Sequence, residues 1–181
     1  MKRATENLEN DHVYILRLTE VILAMVKQQS ANVEHFKSII GLIRNFADGT
    51  HHKKEEDLLF PIMGKKGFSP EQGPVAVMLH EHEEGRKYVS KAAKGIQELE
   101  AGNSVALQAI YNNLSEYALL LQQHIDKENN VLFRMADQVL SSDEQQGLLV
   151  QFLEIEGSTN LEFNSEVSIL KIDKLVAIYL S

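Results

Sequence analysis

The feature that most constrains this chain is a histidine set four residues ahead of a glutamate, met twice and followed each time by a Leu-Phe pair. It appears in His51-His52-Lys53-Lys54-Glu55-Glu56-Asp57-Leu58-Leu59-Phe60-Pro61. It returns as His124-Ile125-Asp126-Lys127-Glu128, followed by Val131-Leu132-Phe133. Residues at i and i+4 lie one above the other on a helix face, so each pair can offer an imidazole and a carboxylate to one metal ion. Two such helices facing each other bring two of each together, which invites a dinuclear site.

The surrounding sequence allows the helices this requires. Its three prolines all fall between residues 61 and 74, leaving long reaches on either side free to be helical. Alternating β-branched runs are nearly absent, so the fold class expected is all-α. With 181 residues the chain is long enough for one domain with a real core. It has no cysteine, which removes thiolate catalysis, zinc–thiolate and iron–sulfur ligation. A net charge of −8 argues against a nucleic-acid partner. No apolar run approaches the roughly 18 residues of a membrane span. The opening Met1-Lys2-Arg3-Ala4-Thr5-Glu6-Asn7 meets an acidic residue before any apolar run and does not read as a signal peptide. The default expectation is a soluble cytoplasmic protein.

Helical phase separates the candidate ligands where spacing does not. His12 shares a face with Leu8, Ile15 and Leu16 in a helix expected over Asn7–Lys27. The next helix, from about Val33 to Met63 with Ser30 or Asn32 as its cap, carries a stripe through Phe36, Ile39, Ile40, Ile43 and Ala47. By threes and fours that stripe reaches His51, Glu55, Leu58 and Leu59. His52 and Glu56 lead back instead to Asp48, Asn45, Arg44 and Gly41, a polar row, so phase selects His51 with Glu55 and leaves His52 outside the ligand set. His35 reads as surface. After a Gly- and Pro-rich loop, a third helix over Gly73–Glu100 places His82 in phase with Val75, Met78 and Val89. His80, with Glu84 at i+4, faces water. The fourth helix, Val105–Leu140, puts His124 and Glu128 within a stripe of Ile110, Leu114, Tyr117, Leu121 and Leu132.

The candidate ligands are thus His12, His51, Glu55, His82, His124 and Glu128, spread over four successive helices. Burying two carboxylates and four imidazoles without partners is very unfavourable, and no lysine or arginine shares their faces to neutralise the glutamates. Bound cations remove the difficulty. Imidazole and carboxylate without thiolate suit iron, manganese or zinc, and carboxylate bridges favour a dinuclear iron or manganese centre with ions about 3.5–4 Å apart. Four nitrogens and two bridging glutamates leave positions open for water, hydroxide or a diatomic gas. Past residue 140, Ser141-Ser142-Asp143-Glu144 starts a further helix with a capping-box pattern. Gly157-Ser158-Thr159-Asn160 is expected to break it, and Phe163–Leu180 to form a last amphipathic helix with no candidate ligand.

The order H…HxxxE…H…HxxxE resembles the hemerythrin-like family of HHE cation-binding domains. The matching stretches are Asp11-His12, the His51–Pro61 segment, Gly73-Pro74 through Glu81-His82-Glu83-Glu84-Gly85-Arg86, and His124-Ile125-Asp126-Lys127-Glu128. The resemblance implies an up-down-up-down four-helix bundle over residues 1–140 around a non-haem centre of two iron ions, held by the six residues above. Residues 141–181 are then a helical extension, packed on the bundle or forming a homodimer interface. The function implied is binding or sensing of O2, NO or peroxide. Turnover as an oxidase or peroxidase, and an iron-holding or regulatory role, are the alternatives. Two departures are visible. Oxygen-carrying members have HxxxH on the third helix and a histidine–aspartate pair on the fourth, whereas His82 has Met78 and Arg86 four residues away and the last carboxylate is Glu128. Members that repair damaged iron centres carry an added cysteine-bearing segment, and this sequence has no cysteine.

Overall fold

Four long helical rods carry the candidate ligands. In the computed structural model, which describes residues 2–158 and 161–180, the first rod is α1 (Ala4–Lys27). The second begins as α2 (Val33–Leu42), where the Asn32 side chain accepts from the His35 amide at 3.1 Å. It continues through π-helical turns at Ile43–His52 and Glu55–Leu59 into α3 (Phe60–Lys65). The third rod, α4 (Pro74–Glu100), opens on Gly73 at φ 81°, followed by Pro74 with its missing N–H in the first turn. The fourth is α5 (Ala106–Lys127), a π turn at Glu128–Leu132 and α6 (Phe133–Val139). No strand occurs among the described residues.

The buried side chains form two apolar clusters with the polar residues between them, and their order proves the topology. Going along α1, Leu8 belongs to one cluster, His12 comes next, and Ile15 belongs to the other. The second rod passes from Ala47 through His51 and Glu55 to Leu59, in the opposite sense. The third runs from Met78 through His82 to Val89, and the fourth from Leu121 through His124 and Glu128 to Leu132. Successive rods therefore cross the same polar layer in alternating directions, as an up-down-up-down bundle must.

The π turns are real departures from the 3.6-residue period. The Lys53 amide bonds the Asp48 carbonyl five residues back, and the Phe60 and Phe133 amides do the same to Glu55 and Glu128. Each added residue rotates the next stretch of the rod about its axis, and Thr50, His51, His52, Lys54 and Glu55 all turn inward.

Two further helices, α7 (Ser142–Ser158) and α8 (Ser165–Tyr179), lie on the bundle. Ser141 and Glu144 cap α7 reciprocally: the Ser141 amide donates to Glu144 Oε2 at 2.8 Å and the Glu144 amide to Ser141 Oγ at 3.3 Å. This helix packs on α1 and the second π turn, while α8 packs on α1 and α2. Phe163, just before α8, sits so close to Gly41 that a Cβ there would fall 2.7 Å from its Cζ. The break expected at residues 157–160 does not begin where the glycine stands. Gly157 and Ser158 remain helical, and Thr159 and Asn160 lie outside the described residues. His35 is likewise not a free surface residue: it is half-buried, with Nδ1 2.6 Å from the Tyr179 hydroxyl of α8.

The tightest tie between extension and bundle is ionic. Lys54 has no exposed side-chain surface, and its ammonium donates to Asn7 Oδ1 at 3.0 Å, Asp11 Oδ2 at 2.8 Å and Glu156 Oε1 of α7 at 2.6 Å, with the Phe152 ring 5.6 Å away. Removing a buried charge leaves its partners uncompensated, whereas an apolar residue of similar length keeps the packing. Lys54→Ala is therefore expected to destabilise the metal-free chain by about 3 kcal/mol, lowering its melting temperature by about 6–12 °C, and Lys54→Met by clearly less. Equal losses in circular-dichroism melts would show that the charge network alone, and not the packing of the stem, holds α7.

Candidate metal centre

The polar layer brings all six sequence-derived candidates together and adds a seventh residue. Ligand atoms of His12, His51, Glu55 and Glu128 lie within 4.8 Å of one another, and so do those of His52, Glu55, His82 and His124. Glu55 belongs to both groups: Oε1 is 3.6 Å from His51 Nε2 and Oε2 is 3.5 Å from His82 Nε2. Glu128 straddles them in the same way, with Oε2 3.2 Å from His12 Nε2 and Oε1 3.2 Å from His124 Nε2. Each carboxylate thus turns one oxygen to each half of the centre.

The imidazoles are oriented from outside. His12 Nδ1 donates to Asn129 Oδ1 at 2.7 Å, His51 Nδ1 to Asp11 Oδ2 at 3.3 Å, and His52 Nδ1 to Asp48 Oδ1 at 3.2 Å. His82 Nδ1 donates to Glu56 Oε1 at 2.7 Å and His124 Nδ1 to Glu81 Oε2 at 2.9 Å. A ring whose Nδ1 carries the proton has its lone pair on Nε2, and all five Nε2 atoms face inward. Outer acceptors that fix the tautomer of a histidine are a recurrent feature of metal sites. Burial alone would raise the outer carboxyls. The ring N–H bonds, with Lys54, Arg86 and Lys127 beside them, instead hold Asp11, Asp48, Glu56 and Glu81 below their usual range, so they stay ionised as acceptors.

What these groups face is chemically incomplete without a cation. All four oxygens of Glu55 and Glu128, and His52 Nε2, are buried without a hydrogen-bond partner. His12 and His51 bring their Nε2 atoms to 2.9 Å, and His82 and His124 to 3.0 Å. Two lone pairs at that distance repel unless a proton or metal lies between them. The donor set therefore fits two hard-to-borderline cations, one in each half, with two nitrogens on the first side and three on the second.

His52 corrects the phase argument. It is 5% exposed, stacks on His82 with ring centroids 3.8 Å apart, and repeats the outer-acceptor pattern of the other four. A 3.6-residue period puts it on the polar row of Asp48 and Arg44, but the π turn at Ile43–His52 turns it inward together with His51. Glu56, its expected companion, stays in the outer ring, bonded to His82 and Arg86. His80 is exposed, as phase predicts.

The two halves are related by an approximate two-fold repeat of the chain. Asp11-His12 corresponds to Glu81-His82, and His51 with Lys54-Glu55-Glu56 corresponds to His124 with Lys127-Glu128-Asn129. The residue before the first histidine accepts from the second of the same copy, and the residue after the glutamate accepts from the first histidine of the other copy. Lys54 pairs with Asp11 as Lys127 pairs with Glu81. Phe133 stacks on His12 at 5.5 Å and Phe60 on His82 at 6.0 Å. The repeat is broken at His52, whose counterpart is Ile125, and at Lys54, which α7 covers completely while the Lys127 side chain is 41% exposed.

Without a cation, the charges of the layer resolve into one ionised carboxylate and one neutral one. Burial, reinforced by the charge of Glu128, pushes Glu55 well above its usual range. Burial opposes ionisation of Glu128 as well, but the charge of His124 and the contact with His12 pull it well below. Burial works against the charge on His124, yet Glu128 and Glu81 outweigh it and lift this imidazole to about 9. Burial and the adjacent His12 lower His51 to about 4, and burial with the stacked His82 lowers His52.

The family model for the hemerythrin HHE cation-binding domain matches residues 3–136. The chain is similar to the iron-sulfur cluster repair protein YtfE of Pectobacterium atrosepticum, 36% identical over 89 residues that make up 48% of this chain and 40% of the relative. It is similar also to the protein of that name in Salmonella newport, 30% identical over 128 residues, or 66% of this chain and 58% of the relative. The chain thus spans less than two thirds of the length of these relatives. No solved structure gives a match.

The protonation pattern makes metal uptake sensitive to pH. A cation must displace the proton on His124, lifted to about 9, and that on Glu55. Loading with zinc(II) at about pH 7.5 is expected to release about one to two protons per chain, read with an indicator dye. The apparent affinity then falls as pH drops below about 9, because protons compete increasingly for the same atoms. An affinity that is flat across the neutral range would contradict this assignment.

Proposed function

The chain belongs to the hemerythrin HHE cation-binding family, and from that premise we propose that it is a non-haem di-iron protein whose centre binds a small molecule of the oxygen, nitric oxide or peroxide class. In this reading His12 and His51 hold one ion, His52, His82 and His124 hold the other, and Glu55 and Glu128 span both. The single observation that carries it is the set of five inward Nε2 atoms around four carboxylate oxygens that have no hydrogen-bond partner. A pair of iron ions supplies redox change and unfilled coordination positions. The chain's own part is to fix five rings through their Nδ1 bonds, to supply two negative charges against the cations, and to keep water away with an apolar cluster on either side. Neither half offers six protein donors, so a cation that takes six would have room for an outside molecule.

A second reading, in which the chain holds iron for delivery to a damaged iron–sulfur centre, draws support from the likeness to the iron-sulfur cluster repair proteins. Loss of iron to an apo-protein acceptor favours delivery. A stable spectral adduct with nitric oxide and no loss of iron favours binding.

Anaerobic loading followed by elemental analysis is expected to leave about two irons per chain in the wild type. Loss of one donor from the three-nitrogen half should leave about one in His52→Ala, while His80→Ala, which alters an exposed ring, keeps about two. A folded wild-type chain that retains no metal would falsify the proposal, and a His52→Ala variant with full iron content would remove His52 from the ligand set.

A further inference from the structure

The second rod spends one residue more than the fourth on the approach to the polar layer. On the fourth, buried Leu121 and buried Ile125 are four apart within the regular turns of α5. On the second, the matching step from buried Ala47 to buried His52 takes five, through the π segment. An α register carried on from Ala47 would put His51 where His52 stands. It would move His52 about 100° around the rod, towards the row of Asp48 and Arg44. Turns this wide are rare in helices, so something local has to favour this one.

Gly49 lies inside the π segment and is exposed. At an exposed helical position alanine is ordinarily more stabilising than glycine. Here an added Cβ would fall 2.9 Å from the carbonyl oxygen of Arg44, five residues back, and 3.8 Å from its carbon. That obstacle is the rod's own backbone, which cannot swing aside as the end of a side chain can. At the next residue the Thr50 hydroxyl donates to the Asn45 carbonyl, also five residues back, at 2.9 Å. In the other copy of the repeat, Gln122 takes the place of Gly49, and the turns there are regular. We infer that Gly49 is a positioning residue for the centre: by leaving room for the Arg44 carbonyl, it keeps the second rod in the wider register that brings His52 into the polar layer. Residue 49 thereby decides whether that layer offers five imidazoles or four. The inference rests on the di-iron reading for its effect on metal content, and goes beyond it by naming what sets the donor number.

The test compares Gly49→Ala with Gly147→Ala in the full chain. Gly147 is an exposed residue of α7 where an added Cβ meets nothing within 4 Å. In metal-free chains, Gly147→Ala should melt about 2–4 °C above the wild type and Gly49→Ala about 2–6 °C below it. Carbethoxylation of histidines, mapped by mass spectrometry, tells a displaced ring from a loosened fold. The metal-free wild type should be modified at exposed His80 and protected at His12, His51, His52, His82 and His124. Gly49→Ala should add His52 alone. After anaerobic iron loading it should hold about one ion where the wild type holds about two, and His52→Ala placed on top should remove no more. Continued protection of His52 in Gly49→Ala, modification of all five rings, or an iron content of about two each overturns the positioning role. If Gly49→Ala does not fold, Thr50→Val, which takes away the bond to Asn45, should uncover His52 to a smaller degree, and full protection there overturns the inference. A wild type that binds no iron while Gly49→Ala still uncovers His52 sinks the di-iron reading and leaves the positioning role standing.

Discussion

Everything in this bundle is arranged around two glutamates that have no donor of their own. Four carboxylate oxygens removed from water, with no lysine, arginine or amide turned towards them, are tolerable in a core only if something positive meets them. The protein's answer is consistent at every level. Five rings turn their Nε2 atoms inward because their outer nitrogens are engaged. Four of the five acceptors that engage them are carboxylates, kept ionised by the ring N–H bonds and by Lys54, Arg86 and Lys127. The apolar core is divided so that each rod can cross the polar layer within about two to three turns.

The approximate two-fold repeat explains how a short sequence unit encodes so much of this. An acidic residue before a histidine, and a later helix with H-x-x-K-E, suffice to place a ligand, its outer acceptor and the cation that steadies that acceptor. Two copies, packed antiparallel, generate a centre in which each glutamate faces both halves. The departures from symmetry are as informative as the repeat. The longer π segment of the second rod adds His52 to one half, and α7 seals the outer ring of the other.

The fold and most of the centre were legible because helical phase is a strong signal in long rods. His12, His51, Glu55, His82, His124 and Glu128 each continue an apolar stripe, and the structure brings all six into one layer. His52 and Lys54 were not legible, for one shared reason and one separate one. Both lie where the backbone abandons the 3.6-residue period, so a stripe extended by threes and fours assigns them to the wrong face. Lys54 is also buried by Glu156 and Phe152, about a hundred residues away in sequence, and no local pattern announces such a cover. The Asn129 bond to His12 has a signal visible only once the repeat is recognised: Asn129 occupies the place that Glu56 holds in the other copy.

The unequal nitrogen count of the two halves has an electronic consequence. In the di-iron reading, an ion facing three imidazoles and two carboxylate oxygens would not be equivalent to one facing two imidazoles and the other two oxygens of the same glutamates. Donor number and type set the potential of a metal, and burial and hydrogen bonds to the ligands tune it further. A single electron added to an oxidised pair would therefore have a preferred seat rather than hopping between twins. A one-residue change of helical register, by admitting His52, would thus give a two-ion centre a direction, one half being richer in nitrogen donors than the other.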